Sequence, residues 1–162
     1  MADLNELETA LALGEQMVEE ERYQQAIDHF KALAAQHPEN PSVLFRLAGA
    51  YDSAGREVEA IAPYRAALAS GLNESEDLRA RIQLASTLRN VGEFEEAVQI
   101  LTQVCAKNPE LRAARAFLAL ALTSAGHADR AVSELLDLLL TNPGPLEAYH
   151  RSLRGYADDL VS

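Results

Sequence analysis

The chain has no tryptophan, a single cysteine and only 6% aromatic residues in 162 positions, and each shortage closes a route. One thiol, Cys105, leaves no intrachain disulfide, so the fold must rest on its buried core; the usage also leans towards a reducing compartment. No Cys-x-x-Cys occurs, and none of His29, His37, His127 and His150 forms a helix-spaced pair with a glutamate. A zinc site is therefore not expected. The mid-repeat glycines come one per turn and never cluster, so no phosphate-cradling loop is present. Glu19-Glu20-Glu21 has no Asp-x-Asp-x-Asp-Gly run beside it, which argues against calcium. The run Leu135 to Leu140 is broken by Asp137 and is far too short to cross a bilayer. Met1 to Glu6 lacks a basic start followed by an apolar stretch, so no secretory signal is expected and the cytoplasm is the expected location. No stretch alternates with period two, so no strands are expected. With neither a nucleophile–base pair nor a cofactor motif, the chain is not expected to be an enzyme, and no cofactor or metal is assigned.

What is present is apolar content of 48%, enough for one domain over residues 1–162 with a real core. The net charge is −11, and it is uneven. Residues 1–40 hold nine acids against two bases and residues 41–77 six against three, whereas residues 78–111 and 112–145 are balanced. Phosphate neutralisation needs a basic surface, so nucleic acid is not an expected partner.

One pattern recurs four times: a leucine with a small residue beside it, then an alanine thirteen positions on. Leu13, Leu47, Leu84 and Leu118 are the leucines, and Ala26, Ala60, Ala97 and Ala131 the alanines. Both series step by 34, 37 and 34 residues. That length is one helical hairpin, and four in phase imply a stack of hairpins. Leu44, Leu47, Ala48 and Tyr51 form an i, i+3, i+4, i+7 stripe. Gly55, Gly92 and Gly126 stand midway, where the chain must turn between helices; Glu21 holds that place in the first repeat. Asn40-Pro41 marks a helix start, and Asn108-Pro109 and Asn142-Pro143 mark breaks. The 37-residue step places a longer acidic turn at residues 71–77, ahead of the third repeat.

These residues resemble the tetratricopeptide repeat, W-x2-L-G-x2-Y followed by A-x3-F and P. The first repeat supplies Leu13-Gly14, Met17, Ala26, Phe30 and Pro38. The second supplies Leu47-Ala48, Tyr51, Ala60 and Tyr64, with Leu72 in place of Pro. The third has Leu84-Ala85, Leu88, Ala97, Leu101 and Pro109, and the fourth Leu118-Ala119, Leu122, Ala131, Leu135 and Pro143. The Trp slot is filled by Ala10, Leu44, Arg81 and Arg115. The stretches Ala67 to Leu72 and Gln83 to Gly92 are similar to the bacterial stand-alone group 5 of this family. The resemblance implies an all-α, right-handed superhelical solenoid of four hairpins (about 7–40, 41–74, 78–111 and 112–145) closed by a capping helix at 145–160. That last helix places Leu146, Tyr149, Leu153, Tyr156 and Leu160 on one face.

In such a stack the first helix of each hairpin lines the inner face, and the stripe next to the packing stripe points into the groove. That stripe is Glu8, Leu11, Glu15 and Val18 in repeat one, and Ser42, Phe45, Gly49 and Asp52 in repeat two. It continues as Arg79, Ile82, Ser86 and Arg89, with Asn90, in repeat three, and as Ala113, Ala116, Leu120 and Thr123 in repeat four. Arg46 flanks it, and Arg151 and Arg154 extend its basic end. The expectation is a protein-binding groove in which Phe45, Ile82 and Leu120 give apolar contact. Arg89, Arg79 and Asn90 would take an acidic or carboxylate group. In chaperone-tail-binding members, a Lys and an Asn one turn apart in repeat one grip the ligand carboxylate. Leu11 and Glu15 stand at those places, so that mode is rejected. The alternative is a homodimer formed through the groove or through Tyr149 and Tyr156 of the last helix.

Overall fold

In a computed structural model of the chain, residues 2–141 are described, and they form eight α-helices joined by short turns, with no strand among them. The helices are α1 (Ala2–Glu19), α2 (Tyr23–Gln36), α3 (Pro41–Ser53), α4 (Glu57–Ser70), α5 (Glu74–Asn90), α6 (Phe94–Lys107), α7 (Arg112–Ser124) and α8 (Ala128–Thr141). Their order is that of four helix–turn–helix repeats. Asn142-Pro143, the capping helix at 145–160, Arg151, Arg154, Tyr149 and Tyr156 lie outside the described residues.

The chain divides into two compact units, Met1–Gly92 and Glu93–Ser162. In the N-terminal unit α1 packs on α2, α3 packs on both of them and on α4, and α5 packs on α3 and α4. In the C-terminal unit α7 packs on α6 and α8.

The four marker alanines are buried, as are their small partners Gly14, Ala48, Ala85 and Ala119. Small side chains at these positions let neighbouring helix backbones come close, and larger ones would overpack by about 1–3 kcal/mol. Leu47, Leu84 and Leu118 are buried, but Leu13 is 45% exposed. The reason is the neighbourhood: α3, α5 and α7 each pack against a helix preceding them in the chain, whereas α1 packs on α2 and α3, which both follow it.

The turn at Glu20 to Arg22 does the work of the glycine turns. Glu21 has φ +59°, beside +68° at Gly55 and +81° at Gly126. In each of these turns a backbone N–H reaches back five residues: Arg22 to Met17 (2.8 Å), Arg56 to Tyr51 (3.0 Å) and His127 to Leu122 (2.8 Å). That bond closes the helix C-terminus in the Schellman manner.

The acidic stretch before repeat three is not a longer turn. Only Gly71, Leu72 and Asn73 are non-helical, and Glu74, Glu76 and Asp77 form the first turn of α5. Asn73 caps it: its side-chain oxygen accepts from the Glu76 N–H at 3.0 Å, and its Nδ2 donates to Glu76 Oε2 at 2.8 Å. Acids near a helix N-terminus meet the positive end of the helix dipole, so the sequence of this stretch favours a helical start.

Candidate functional site

Helices α1, α3 and α5 of the N-terminal unit enclose a cleft of about 440 Å³, with Tyr64 of α4 and Phe30 of α2 at its base. The side chains that shape its chemistry are Glu15, Phe45, Arg46, Asp52, Tyr64 and Arg79. Helical spacing explains the grouping. Phe45, Gly49 and Asp52 follow one another at four and three residues along α3, so all three share one face.

Two polar assemblies occupy the walls. In the first, Arg46 of α3 joins the helices on either side. Its Nε lies 2.8 Å from Glu15 Oε1 of α1, and its Nη1 donates to Glu76 Oε1 of α5 at 2.7 Å. Glu76 also accepts from the Ser42 hydroxyl at 2.8 Å. Burial pushes the Glu76 carboxyl up, but hydrogen bonds from Arg46 and Ser42 and the charges of Arg46 and Arg79 outweigh it, so its pKa is lowered.

In the second, Asp52 of α3 accepts from Thr87 Oγ1 of α5 at 3.0 Å. The Tyr64 hydroxyl stands between Asp52 Oδ2 (3.5 Å) and Gln83 Oε1 (3.3 Å). Burial raises the Asp52 pKa; the Thr87 hydrogen bond opposes this and the Glu57 charge adds to it. The Tyr64 phenol is pushed up as well, first by burial and then by the Asp52 charge, and stays protonated. It is a hydrogen-bond donor here, not a base.

Arg79 is different from both. It is exposed at the edge of the cleft, its guanidinium carbon 5.5 Å from the centroid of the Phe45 ring, and among the described residues it makes no ion pair. Phe45 in turn packs at a tilt on Tyr64, centroids 6.2 Å apart. The aromatic face holds the guanidinium in place and leaves its donor edges unused.

Of the residues expected from the sequence, Phe45, Gly49, Asp52 and Arg79 line this one cleft. Ile82, Ser86, Arg89 and Asn90 do not. Phe45 is only 4% and Ile82 only 6% exposed. Neither is an open apolar anchor, because the stripe is tucked against neighbouring helices. Leu11, Ala113 and Ala116 are buried for the same reason. Arg89 is half-buried and donates to Asn90 Oδ1 at 2.9 Å, so part of its guanidinium is engaged within its own helix end. Leu120 is half-buried on α7 of the C-terminal unit. Arg81 pairs with Asp77 one turn earlier at 2.6 Å, and Arg115 with Glu134 of α8 at 3.0 Å. His29 ties α2 to α1, its Nε2 donating to the Ala10 carbonyl at 2.7 Å.

Tyr64, Gln83 and Thr87 were not foreseen. Tyr64 belongs to a second helix of a hairpin, Gln83 and Thr87 to the next repeat, and only helix packing brings them to Asp52. Among the described residues no group of three or more metal-ligating side chains comes together, and no helix is long and apolar enough to cross a membrane.

Helical repeats whose first helices gather charged and aromatic side chains in a cleft define a helical-repeat scaffold. Sequence profiles agree with the fold. One described as Tetratrico peptide repeat (TPR_5) matches residues 41–160, and one described as Tetratricopeptide repeat (TPR_16) matches residues 4–73. The chain belongs to the tetratricopeptide repeat family. No curated protein sequence matches it. Among solved structures it resembles MamA (TM-score 0.72, 22% identity, 85% of this chain and 74% of that one). It also resembles the nearly identical TPR-like repeats of a putative kinesin light chain from Podosopora anserina (0.74, 24%, 91% and 80%). A third is YrrB, described as a TPR protein with an unusual peptide-binding site (0.72, 23%, 93% and 86%). At these identities the likeness is one of fold.

Proposed function

We propose that the α1–α3–α5 cleft docks a segment of a partner protein, with a carboxylate of that segment on Arg79 and the partner's backbone passing over Gly49. The observation that carries this reading is Gly49. A glycine inside a helix costs about 1 kcal/mol relative to alanine. Packing does not require it, because a Cβ built at Gly49 meets nothing within 4 Å. A side chain could stand there, and its absence keeps the cleft floor open where a ligand backbone can approach. Arg79 beside it offers an unspent, oriented guanidinium, the group suited to bidentate carboxylate recognition. The acids of α1 at the other side give the cleft a polarity that would fix the direction of the docked segment. The role is that of an interaction module, not of an enzyme, and the matched peptide-binding relative is consistent with it.

The test is a selection from a random-peptide display library on the wild-type chain, repeated on Arg79→Glu. The wild type should enrich acid-bearing peptides, and these should bind the variant about 30-fold or more weakly, the order of loss for an unpaired interfacial charge. Equal binding to both proteins would refute the assignment of Arg79.

A further inference from the structure

We propose that Glu15 is a built-in occupant of an anion site on Arg46, and that a partner's carboxylate displaces it. The inference rests on the cleft reading above and concerns how that site is regulated. Arg46 lines the cleft together with Arg79, yet its two carboxylate partners are unlike. Glu76 has only 12% of its side chain exposed and is fixed by the Ser42 hydroxyl, the Asn73 amide and Arg46 Nη1 at once. It is a permanent member of the fold.

Glu15 has 51% of its side chain exposed, and Arg46 is the single partner of its carboxylate among the described residues. The contact is also poorly made. Glu15 Oε1 is 2.8 Å from Arg46 Nε, but Nε is buried and has no aligned hydrogen-bond acceptor. A short, misaligned contact to a half-exposed carboxylate covers the donor without satisfying it. The guanidinium edge away from Glu76 therefore has a site for a carboxylate that can approach in plane, which a flexible partner side chain in the cleft can do. Displacing Glu15 breaks one ion pair whose carboxylate side is half-exposed, a pair weakened by solvent and by its misalignment, and leaves Glu76 and the α3–α5 link in place.

The geometry makes Glu15 an internal competitor. An acidic segment must outbid it for Arg46, and a neutral segment leaves it seated. Removing Glu15 should tighten acidic ligands and leave the fold unchanged, whereas a merely structural Glu15 would do neither.

The experiment is a 1H–15N NMR titration of the arginine side chains in the full chain, with acetyl-Glu-Leu-Glu as the probe and Arg46→Lys to assign the Arg46 signal. Wild type, Glu15→Gln and Glu6→Gln are compared; the last removes an equal charge from the exposed face of α1, away from the cleft residues. The expected result is a saturating shift at Arg46 in all three. Half-saturation should fall about threefold in Glu15→Gln alone, the scale of one partly exposed ion pair. If Arg79 responds but Arg46 does not, or if Glu15→Gln titrates like wild type, the displacement proposal is overturned and the docking cleft stands. If neither arginine responds to the probe in any of the proteins, the docking reading falls with it.

Discussion

Replacing Gly14 by alanine sets two opposing effects against each other, and Gly49 supplies the matched control. Both are interior helical glycines of the N-terminal unit, one in α1 and one in α3. Alanine gains about 1 kcal/mol of helix propensity at either site. At Gly14 the new methyl would lie 2.6 Å from Phe30 Cε1 and 2.8 Å from Cε2, with Cζ closer still. Phe30 is among the most buried side chains of the unit, so its ring can yield only by leaving its packed position beneath the cleft. Overpacking of this kind costs about 1–3 kcal/mol, and at such distances the upper part of that range applies. Gly14→Ala should therefore lose about 1–2 kcal/mol net, while Gly49→Ala should gain about 0.5–1 kcal/mol. For a chain of this size about 1 kcal/mol moves Tm by about 2–4 °C. Melts followed by far-UV circular dichroism should then show Gly14→Ala several degrees below wild type and Gly49→Ala a few degrees above it. If both variants rise together, Gly14 is not held against Phe30 and the packing argument fails. If Gly49→Ala is stabler yet keeps full affinity for the selected peptides, the open floor at Gly49 has no part in docking.

The two half-buried carboxylates should respond to pH in opposite senses. Glu76 has a lowered pKa, so its stabilisation is present above the ordinary carboxylate range and is lost as pH falls through the depressed value. Glu76→Gln should flatten the acid side of a plot of urea midpoint against pH. Asp52 has a raised pKa, so its contribution is fully present below the ordinary range and is lost as pH rises through the raised value. Asp52→Asn should remove that decline, and a steeper decline would refute the assignment. Burial, aided by the Glu134 charge, pushes the Cys105 thiol up to about 11. Its thiolate share at pH 8 falls about a hundredfold, partly offset by higher intrinsic nucleophilicity. Labelling by a disulfide reagent should be on the order of tenfold slower than in the urea-unfolded chain, and equal rates would refute the burial of the thiol.

The fold was legible because its markers are packing requirements. A leucine, a small residue and an alanine at fixed spacing can be satisfied by one helical hairpin, and three of the four leucines are buried as that demands. Leu13 escapes because burial belongs to the neighbouring helix as much as to the residue. The cleft was legible in part: the α3 face follows from spacing, and Arg79 from the same stripe one repeat on. Facing a groove, however, is not the same as being open to it. Phe45 and Ile82 are covered, and Arg89 is engaged by Asn90, all consequences of tertiary packing that no local pattern states. The start of α5 was misjudged although its signal was present. Asn73 with Glu76 three residues later is the pairing of a capping box, and it outweighs the turn-like composition of Gly71 to Ser75.

That misjudged stretch accounts for much of the site's electrostatics. α3 begins six residues before its marker leucine, at Pro41 before Leu47, and α7 does the same, at Arg112 before Leu118. α5 begins ten residues before its own, at Glu74 before Leu84. The additional length in the 37-residue step is thus spent on one more helical turn, not on a loop. Glu76 stands in that turn. With α5 starting in the register of its sister helices, nothing would cap at Asn73, and no carboxylate would lie beside Ser42 and the Nη1 of Arg46. Arg46 would then keep only the half-exposed, misaligned Glu15 as a carboxylate partner, with its Nη1 held by the Ser42 carbonyl at 3.2 Å. By anchoring Arg46 from the α5 side, the extra turn divides its two edges into one that is committed to the fold and one that faces the cleft. Restoring the 34-residue spacing by deleting Glu74, Ser75 and Glu76 should therefore leave the repeat fold intact while removing the difference between wild type and Glu15→Gln in the peptide titration.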